Sequence, residues 1–391
     1  MLESLQNFTN ELYRTVVDEQ KGNLQNTYFS PTSIYIGMLA AMLGSRGTTR
    51  NEIFKALDLE KGSEESAMSV LSGKFLASLL RPVPKCISGS TAQTTEIIGV
   101  NRAFFKCNMN LSPEYLKDIE RFYGFETEYL PFCEHADRDR EQINEWINKK
   151  MGNTVPEFLP HGTVTNETKF ILANAMYFKG PWARIFNENN TQKDIFHTLD
   201  GKKITVNMMY QTATHAVQEL PDAKARALKV YFRDLNWSLL LILPKEMDGL
   251  ADTLTYVRQP GRLVQILNGS FKSREIHFYF PRFQLYKGHG MNERKKLAEL
   301  GISAVFSPEN ADFNDVCPGG GLFLSQMRHK AIFQVDEDGV SEAPAPVFMG
   351  DSPGVFPNVE AFKFDHPFFL AIVTQDKLPV FVGHVVEPEV I

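Results

Sequence analysis

The spacing of apolar residues predicts helices in the first part of the chain. Leu5, Phe8, Leu12 and Val16 recur every three or four positions, which is typical of a helix with one buried face. Elsewhere, a serine followed by proline supplies an N-cap and a first-turn residue, and a glycine supplies a stop. These signals predict further helices from Ser30-Pro31 to Gly44, from Ser112-Pro113 to Gly124, and over residues 137–151.

Strand patterns dominate the rest of the chain. Two continuous apolar runs predict strands that are buried on both faces, and one alternating run predicts a half-buried strand. Two final runs flank the turn sequence TQDKLP and predict a hairpin. In chain order these strands cover residues 170–178, 237–243, 276–286, 368–373 and 380–386. Helices first and mostly antiparallel strands later indicate an α+β protein.

Residues 336–360 (DEDGVSEAPAPVFMGDSPGVFPNVE) fit neither pattern. They contain four prolines and three glycines and show almost no periodicity. A segment of this length without regular structure is uncommon inside a compact protein and is usually functional or disordered. This segment is therefore a candidate for the functional part of the chain.

Composition excludes several classes of protein. The 391 residues carry 41 Lys+Arg and 47 Asp+Glu, a formal net charge of −6 without a basic block, so we expect no nucleic-acid partner. No apolar run approaches the roughly 20 residues of a membrane-spanning helix, so no membrane partner is expected. The four cysteines and nine histidines form no metal-binding or redox motif, and no G-x-S-x-G or S-x-x-K is present. We therefore expect no metal, no cofactor and no enzymatic activity.

Four long segments, in order, resemble the serpin family of serine protease inhibitors. NTYFSPTSIYIGMLAAMLGSRGTT (26–49) is similar to the family's early signature, and ILANAMYFKGPW (171–182) to the segment from a central strand to a buried tryptophan. LFLSQMRHKAIFQVDEDGVSEA (322–343) resembles the strand that leads into the reactive-centre loop. FDHPFFLAIV (364–373) with VFVGHVVEP (380–388) resembles the C-terminal signature.

The resemblance implies one serpin domain over residues 1–391, with three β-sheets, about eight or nine helices, and a hinge and exposed reactive-centre loop at 337–361. It also implies a mechanism. A target serine protease attacks the loop and forms an acyl-enzyme, and the cut loop then inserts into the large sheet and carries the protease with it. An insertion of fifteen residues at about 3.3 Å each moves the protease roughly 50 Å.

The resemblance also assigns roles to individual positions. One group would control the parting of strands in the large sheet, although each member could equally be a satisfied polar core residue or a helix cap. A second group lies at the top of that sheet, where an arginine replaces the family's usual lysine and keeps the charge. The sheet-opening group is Ser30, Ser33, Asn174 and His329, and the upper group is Trp182, Arg282 and Glu337.

The predicted hinge departs from the pattern of inhibitory serpins. It comprises Glu337, Gly339, Val340, Ser341, Glu342, Ala343 and Pro344. Val340 is small enough for burial, but Glu342 would share its inward face, where burial desolvates a charge. Pro344 and Pro346 lack the N–H groups of a central strand, so complete insertion would lose several hydrogen bonds.

The predicted cleavage site lies between Val355 and Phe356. In the serpin family the cleaved bond follows the position of Glu337 by about seventeen residues, which by this resemblance leads to Pro353, whereas counting back from Asp365 leads near Phe356 because the loop is about three residues longer than usual. Proline is a poor residue for attack, and cleavage after Phe356 would place Pro357 on the leaving side. The Val355–Phe356 bond avoids both problems and suits an elastase-like pocket.

Two functions follow from this reasoning. The first is a suicide-substrate inhibitor of elastase- or chymotrypsin-like proteases that acts as a monomer. The second is a non-inhibitory binding or storage protein, which the Glu/Pro-bearing hinge favours. The N-terminal segment lacks the features of a cleavable signal, so we expect an extracellular protein without such a signal or, alternatively, a cytoplasmic one.

Overall fold

The computed structural model describes residues 2–59, 95–133, 135–153, 155, 157–285, 291–340 and 359–391. Within these residues lie eight α-helices: α1 (Leu2–Glu19), α2 (Pro31–Leu43), α3 (Gly47–Ala56), α4 (Pro113–Tyr123), α5 (Ala136–Lys150), α6 (Leu250–Val257), α7 (Arg262–Asn268) and α8 (Glu293–Glu299).

The predicted helix signals act as expected. The Ser30 hydroxyl accepts a hydrogen bond from the N–H of Ser33, and the Ser112 hydroxyl accepts one from the N–H of Tyr115, so these serines cap α2 and α4. Gly124 ends α4 with a φ of 67°, a left-handed conformation that glycine adopts without strain. Helix α2 is buried along nearly its whole length, because apolar residues cover all of its faces.

Fifteen strands lie among the remaining described residues. They are β1 (Thr27–Phe29), β2 (Glu96–Lys106), β3 (Glu126–Leu130), β4 (Phe170–Pro181), β5 (Gln192–His197), β6 (Lys203–Leu220), β7 (Ala225–Tyr231), β8 (Trp237–Pro244), β9 (Lys272–Leu285), β10 (Gln326–Val335), β11 (Gly339–Val340), β12 (Glu360–Lys363), β13 (Phe368–Thr374), β14 (Pro379–Val385) and β15 (Glu389–Val390). The predicted strands and C-terminal hairpin are confirmed, with ends that shift by a few residues.

Twelve of the strands form one hydrogen-bonded path in the order β1-β14-β13-β8-β7-β6-β9-β10-β11-β4-β2-β3, while β5 pairs with β6, and β12 and β15 pair with β9. The sheets of the expected fold are joined because β6 and β9 are long enough to pass from one to the next. Strand β9 pairs with β6 along its first part and with β10 at its end. Strands β4 and β10 run parallel, which places their upper ends side by side beneath the segment that follows β10.

Two apolar clusters lie on opposite faces of the sheet that contains β4. The larger cluster includes α1, α2 and the C-terminal hairpin, and the smaller one lies beneath α5. Residues of β4 alternate between the clusters, and nearly all of them are buried. A strand covered on both faces has to be apolar throughout, which explains the continuous run in its sequence.

Candidate functional site

A row of polar side chains crosses the middle of the sheet. Asn101 of β2 and His329 of β10 both lie directly opposite Asn174 of β4 in the strand register. The amide nitrogen of Asn174 donates to the Asn101 side-chain oxygen at 2.7 Å, and the Asn174 oxygen lies 3.3 Å from Nδ1 of His329. The contact with His329 therefore joins the two parallel strands by side chains as well as by backbone.

The N-terminus of α2 connects to this row from below. The backbone N–H of Ser30 donates to Nε2 of His329 at 2.9 Å, so Nδ1 carries the ring proton and donates to Asn174. The Ser30 hydroxyl donates to the carbonyl of Val380 at 2.8 Å and accepts from the N–H of Ser33 at 3.1 Å. Ser30 is thus both a helix cap and a link between α2 and β14.

Burial keeps the imidazole of this row neutral. Desolvation lowers the pKa of His329 to about 3, and the nearby Lys330 charge acts in the same direction. A charged imidazole would place a proton on Nε2, where it would face the Ser30 N–H. The network therefore forms only with neutral His329.

The structure brings the four residues of the predicted sheet-opening group together, but not in equal roles. Ser33 contributes its backbone, because its carbonyl accepts from Asn174 at 3.2 Å and its buried hydroxyl has no partner among the described residues. Asn101, which completes the row, was not among the predicted residues. A lone asparagine within the apolar strand VNRAFF was the signal that could have identified it.

At the top of the sheet, the chain leaves β10 through a tight turn. One oxygen of the Asp336 carboxylate accepts from the N–H groups of Asp338 and Gly339, each at 3.1 Å. Burial raises the pKa of Asp336 to about 6. This turn reverses the chain, so that the next residues return toward the sheet.

Strand β11 then lies between the upper ends of β10 and β4. Val340 is opposite Val335 on one side and Gly180 on the other, and its side chain is 1% exposed. A Cβ atom on Gly339 would lie 2.2 Å from the carbonyl oxygen of Gly180. Glycine is therefore required here by the close approach of two backbones, and Val340, which is small enough for burial, is already buried in this state.

Glu337 is held in place at the edge of the turn. Its side chain is 5% exposed; one carboxylate oxygen accepts from the Thr191 hydroxyl at 2.6 Å, and the other lies 3.6 Å from a guanidinium nitrogen of Arg282. The predicted ion pair between Arg282 and Glu337 is thus present, with a long separation of 3.6 Å between the charged atoms. The hydrogen bond from Thr191, which the sequence did not indicate, is the closer contact.

Trp182 supports the turn from beneath. Its ring is fully buried and stacks on Phe232 with 5.0 Å between ring centroids. Its indole N–H donates to the carbonyl of Asp336 at 3.0 Å, and its backbone N–H donates to that of Asp338 at 2.8 Å. The upper group is therefore one connected unit around the turn.

The other predicted hinge residues (Ser341, Glu342, Ala343 and Pro344) and the predicted bond between Val355 and Phe356 lie outside the described residues.

Comparison with known proteins identifies the family. The family described as "Serpin (serine protease inhibitor)" matches residues 3–388. The chain belongs to the serpin family. It is 29% identical over 369 residues to the leukocyte elastase inhibitor of Bos taurus, covering 93% of each chain, and 27% identical to that of Xenopus laevis, covering 97% of each.

Solved structures show the same fold. Uncleaved ovalbumin superposes with a TM-score of 0.83 at 23% identity, covering 98% of this chain and 99% of that one. Serpin48 of the insect Tenebrio molitor gives a TM-score of 0.84 at 24% identity, covering 99% and 97%. The predicted α+β serpin fold is confirmed, and the relatives support protease inhibition as the function of the family.

Two features are lacking from the part of the chain that the structure describes. No group of three or more His, Cys, Asp or Glu side chains there could hold a metal ion. No helix there is both long and apolar enough to span a membrane.

Proposed function

We propose that this serpin inhibits elastase- or chymotrypsin-like serine proteases as a suicide substrate. The proposal treats residues 1–391 as one domain, which the family match over residues 3–388 supports. The observation that carries it is the position of Gly339 and Val340 between β10 and β4. The segment after β10 has already begun to pair between the two strands that a cleaved loop would have to separate.

The chemistry follows from the family mechanism. The hydroxyl oxygen of the protease serine attacks the carbonyl carbon of Val355, and the bond to the nitrogen of Phe356 breaks. An ester joins Val355 to the protease, and a new amine is left on Phe356. Fifteen residue steps separate Val340 from Val355, so an inserted strand would move the ester by roughly 50 Å.

A second function remains a specific alternative. Glu342, Pro344 and Pro346 follow directly after the buried Val340. If they entered the sheet, Glu342 would be desolvated and each proline would leave a carbonyl of the neighbouring strand unpaired. Insertion slowed in this way would allow the protease to hydrolyse the ester first, and the protein would then serve as a binding or storage protein.

The deciding experiment mixes the protein with neutrophil elastase and, in parallel, with chymotrypsin. Inhibition predicts a covalent complex that survives denaturing electrophoresis and a released peptide of residues 356–391, identified by mass spectrometry. Clean cleavage without a complex contradicts inhibition of these enzymes. A peptide that starts elsewhere corrects the bond but leaves the mechanism intact.

A matched variant tests the alternative directly. Glu342→Ala, Pro344→Ala and Pro346→Ala together restore small residues that can pair within a strand. If the hinge limits insertion, this triple variant should form more complex per cleavage event than the natural chain. If both proteins form the same amount of covalent complex per cleavage event, these three residues do not decide between inhibition and simple cleavage.

The proposed partner is one protease molecule per serpin monomer. The similarity to leukocyte elastase inhibitors supports a protease partner. The preference for an extracellular location gains no support from these relatives, and the cytoplasmic alternative is more consistent with them. Fractionation of cells that express the untagged protein would separate the two locations.

A further inference from the structure

The turn that joins β10 to β11 buries a carboxylate that has one oxygen unpaired. Asp336 is 6% exposed, and one of its oxygens accepts from the N–H groups of Asp338 and Gly339. The other oxygen is buried and has no hydrogen-bond partner among the described residues. An ionised carboxylate is costly to bury unless it is fully paired, whereas a neutral carboxyl is buried at a much smaller cost. The geometry of the turn therefore favours the neutral form of Asp336.

The charges around the turn do not supply the missing partner. The described charged groups that interact with the turn or belong to it are Glu337, Asp338, Arg282 of β9, Arg233 after β7 and Glu188 before β5. The two acids next to Asp336 raise its pKa beyond the effect of burial, because they repel a second negative charge. Arg282 lies beside Glu337, and Arg233 acts on Asp338, so each arginine offsets a different acid. The residues of β4 and β10 that pair with β11 are uncharged.

Asp336 also holds the first residue of β11. Its backbone N–H donates to the carbonyl of Gly339 at 3.0 Å, and its carboxylate accepts from the N–H of the same residue at 3.1 Å. Strand β11 consists only of Gly339 and Val340, which pair with β4, and Val340 also pairs with β10. So short a strand makes few ladder hydrogen bonds, and the state of the turn therefore strongly influences whether β11 stays in the sheet.

We propose that the turn at residues 336–339 is a proton-controlled switch, which keeps β11 docked between β10 and β4 when Asp336 is protonated and releases β11 when Asp336 is ionised. A proton on the unpaired oxygen removes the buried charge, and the other oxygen keeps its two N–H partners. In the released state the carboxylate of Asp336 is hydrated and ionises without this cost.

The sign and size of the effect follow from the two states of the carboxyl group. The pKa of Asp336 is about 6 when β11 is docked, and a hydrated aspartate has a pKa near 4. A raised carboxyl pKa stabilises the docked state at low pH, and this contribution is lost as the pH rises through 6. The ratio of docked to released protein should therefore fall about a hundredfold in total, with about tenfold of the change between pH 5 and pH 7.

The switch does not require a target protease, so it can be tested on the serpin alone. Under the proposed function, release would return Gly339 and Val340 to the segment that the protease attacks, and this consequence alone rests on that function. Failure to form a covalent complex with a protease would contradict the proposed function and leave the switch intact.

Thiol labelling of the full chain measures the released state directly. Val340 is 1% exposed, so in the variant Val340→Cys the thiol at this position reacts with iodoacetamide only after β11 leaves the sheet. Exposed Cys133 is a reference that corrects for the effect of pH on thiol chemistry, and buried Cys317 reports general opening of the protein. Mass spectrometry should show the labelling rate at position 340, relative to Cys133, rising about tenfold from pH 5 to pH 7. A constant ratio, or an equal rise at Cys317, would overturn the proposal.

Two variants of the Val340→Cys protein separate Asp336 from its neighbours. Asp336→Asn keeps an oxygen that accepts from both N–H groups but cannot ionise, so the relative labelling rate should stay within about twofold from pH 5 to pH 7. Glu337→Gln is the matched control, because it removes a neighbouring charge, keeps an acceptor for Thr191 and leaves Asp336 able to titrate. In this control the rise in labelling should persist. If Asp336→Asn retained the tenfold rise, or if Glu337→Gln abolished it, the assignment of the switch to Asp336 would be wrong.

Discussion

The buried, neutral ring of His329 should make the folded protein less stable as the pH falls. The pKa is lowered from its ordinary value to about 3 by burial, so the folded protein keeps the ring neutral where the unfolded chain binds a proton. A depressed pKa contributes stability that is present above about pH 6.5 and lost as the pH falls. The slope is about 1.4 kcal/mol per pH unit, so a change from pH 6.5 to 5 costs roughly 2 kcal/mol.

Another group beside β10 titrates with the opposite sign. Glu293 accepts from the backbone N–H of His329 at 2.9 Å, and burial raises its pKa to about 7. A raised carboxyl pKa contributes stability that is present at low pH and lost as the pH rises through 7. The two effects offset each other in the natural protein, so its pH profile alone cannot isolate His329.

The variant His329→Gln isolates the contribution of His329 to the pH dependence of stability. Glutamine can accept from the N–H of Ser30 and donate to Asn174, but it does not titrate. Urea unfolding at several pH values should therefore show the natural protein losing roughly 2 kcal/mol relative to the variant between pH 6.5 and 5. A constant difference between the two proteins across this range would refute the assignment of a buried neutral imidazole.

Three further substitutions test the contacts around this site. Gly339→Ala places a methyl group against the carbonyl of Gly180, so we expect β11 to leave the sheet and proteolysis after β10 to become faster, as followed by limited digestion. Trp182→Phe leaves the carbonyl of Asp336 unpaired and loses ring volume, which should cost about 2 kcal/mol in urea unfolding. Ser30→Ala removes the cap of α2, which should cost roughly 1–2 kcal/mol in the same assay, whereas Ser30→Thr should retain most of it.

Local signals in the sequence predicted much of the fold. The Ser30 cap and the αL Gly124 depend on neighbours within a few residues, and such contacts can be read from one segment. The joining of the sheets through β6 and β9 depends on strand pairs that are distant in sequence, which periodicity does not encode.

The site was harder to predict from the sequence, because its contacts also join residues that are distant along the chain. The group Ser30, Ser33, Asn174 and His329 came from resemblance, and nothing in their spacing would have brought them together. Asn101 was missed because its role depends on lying opposite Asn174 in a neighbouring strand. Ser33 shows the opposite error: its hydroxyl has no partner within the described part of the chain, so a residue can match a family position and contribute only its backbone.

Strand insertion would affect the backbone and the side-chain hydrogen bonds between β4 and β10 differently. Backbone hydrogen bonds between β4 and β10 would be replaced by bonds to an incoming strand, so their loss is temporary. The contact of Asn174 with His329 spans 3.3 Å, whereas two strands separated by a third lie roughly 9.5 Å apart. This side-chain hydrogen bond can therefore exist only in the uninserted state. Weakening it, for example by substitution of His329, lowers the stability of the uninserted state relative to the inserted one.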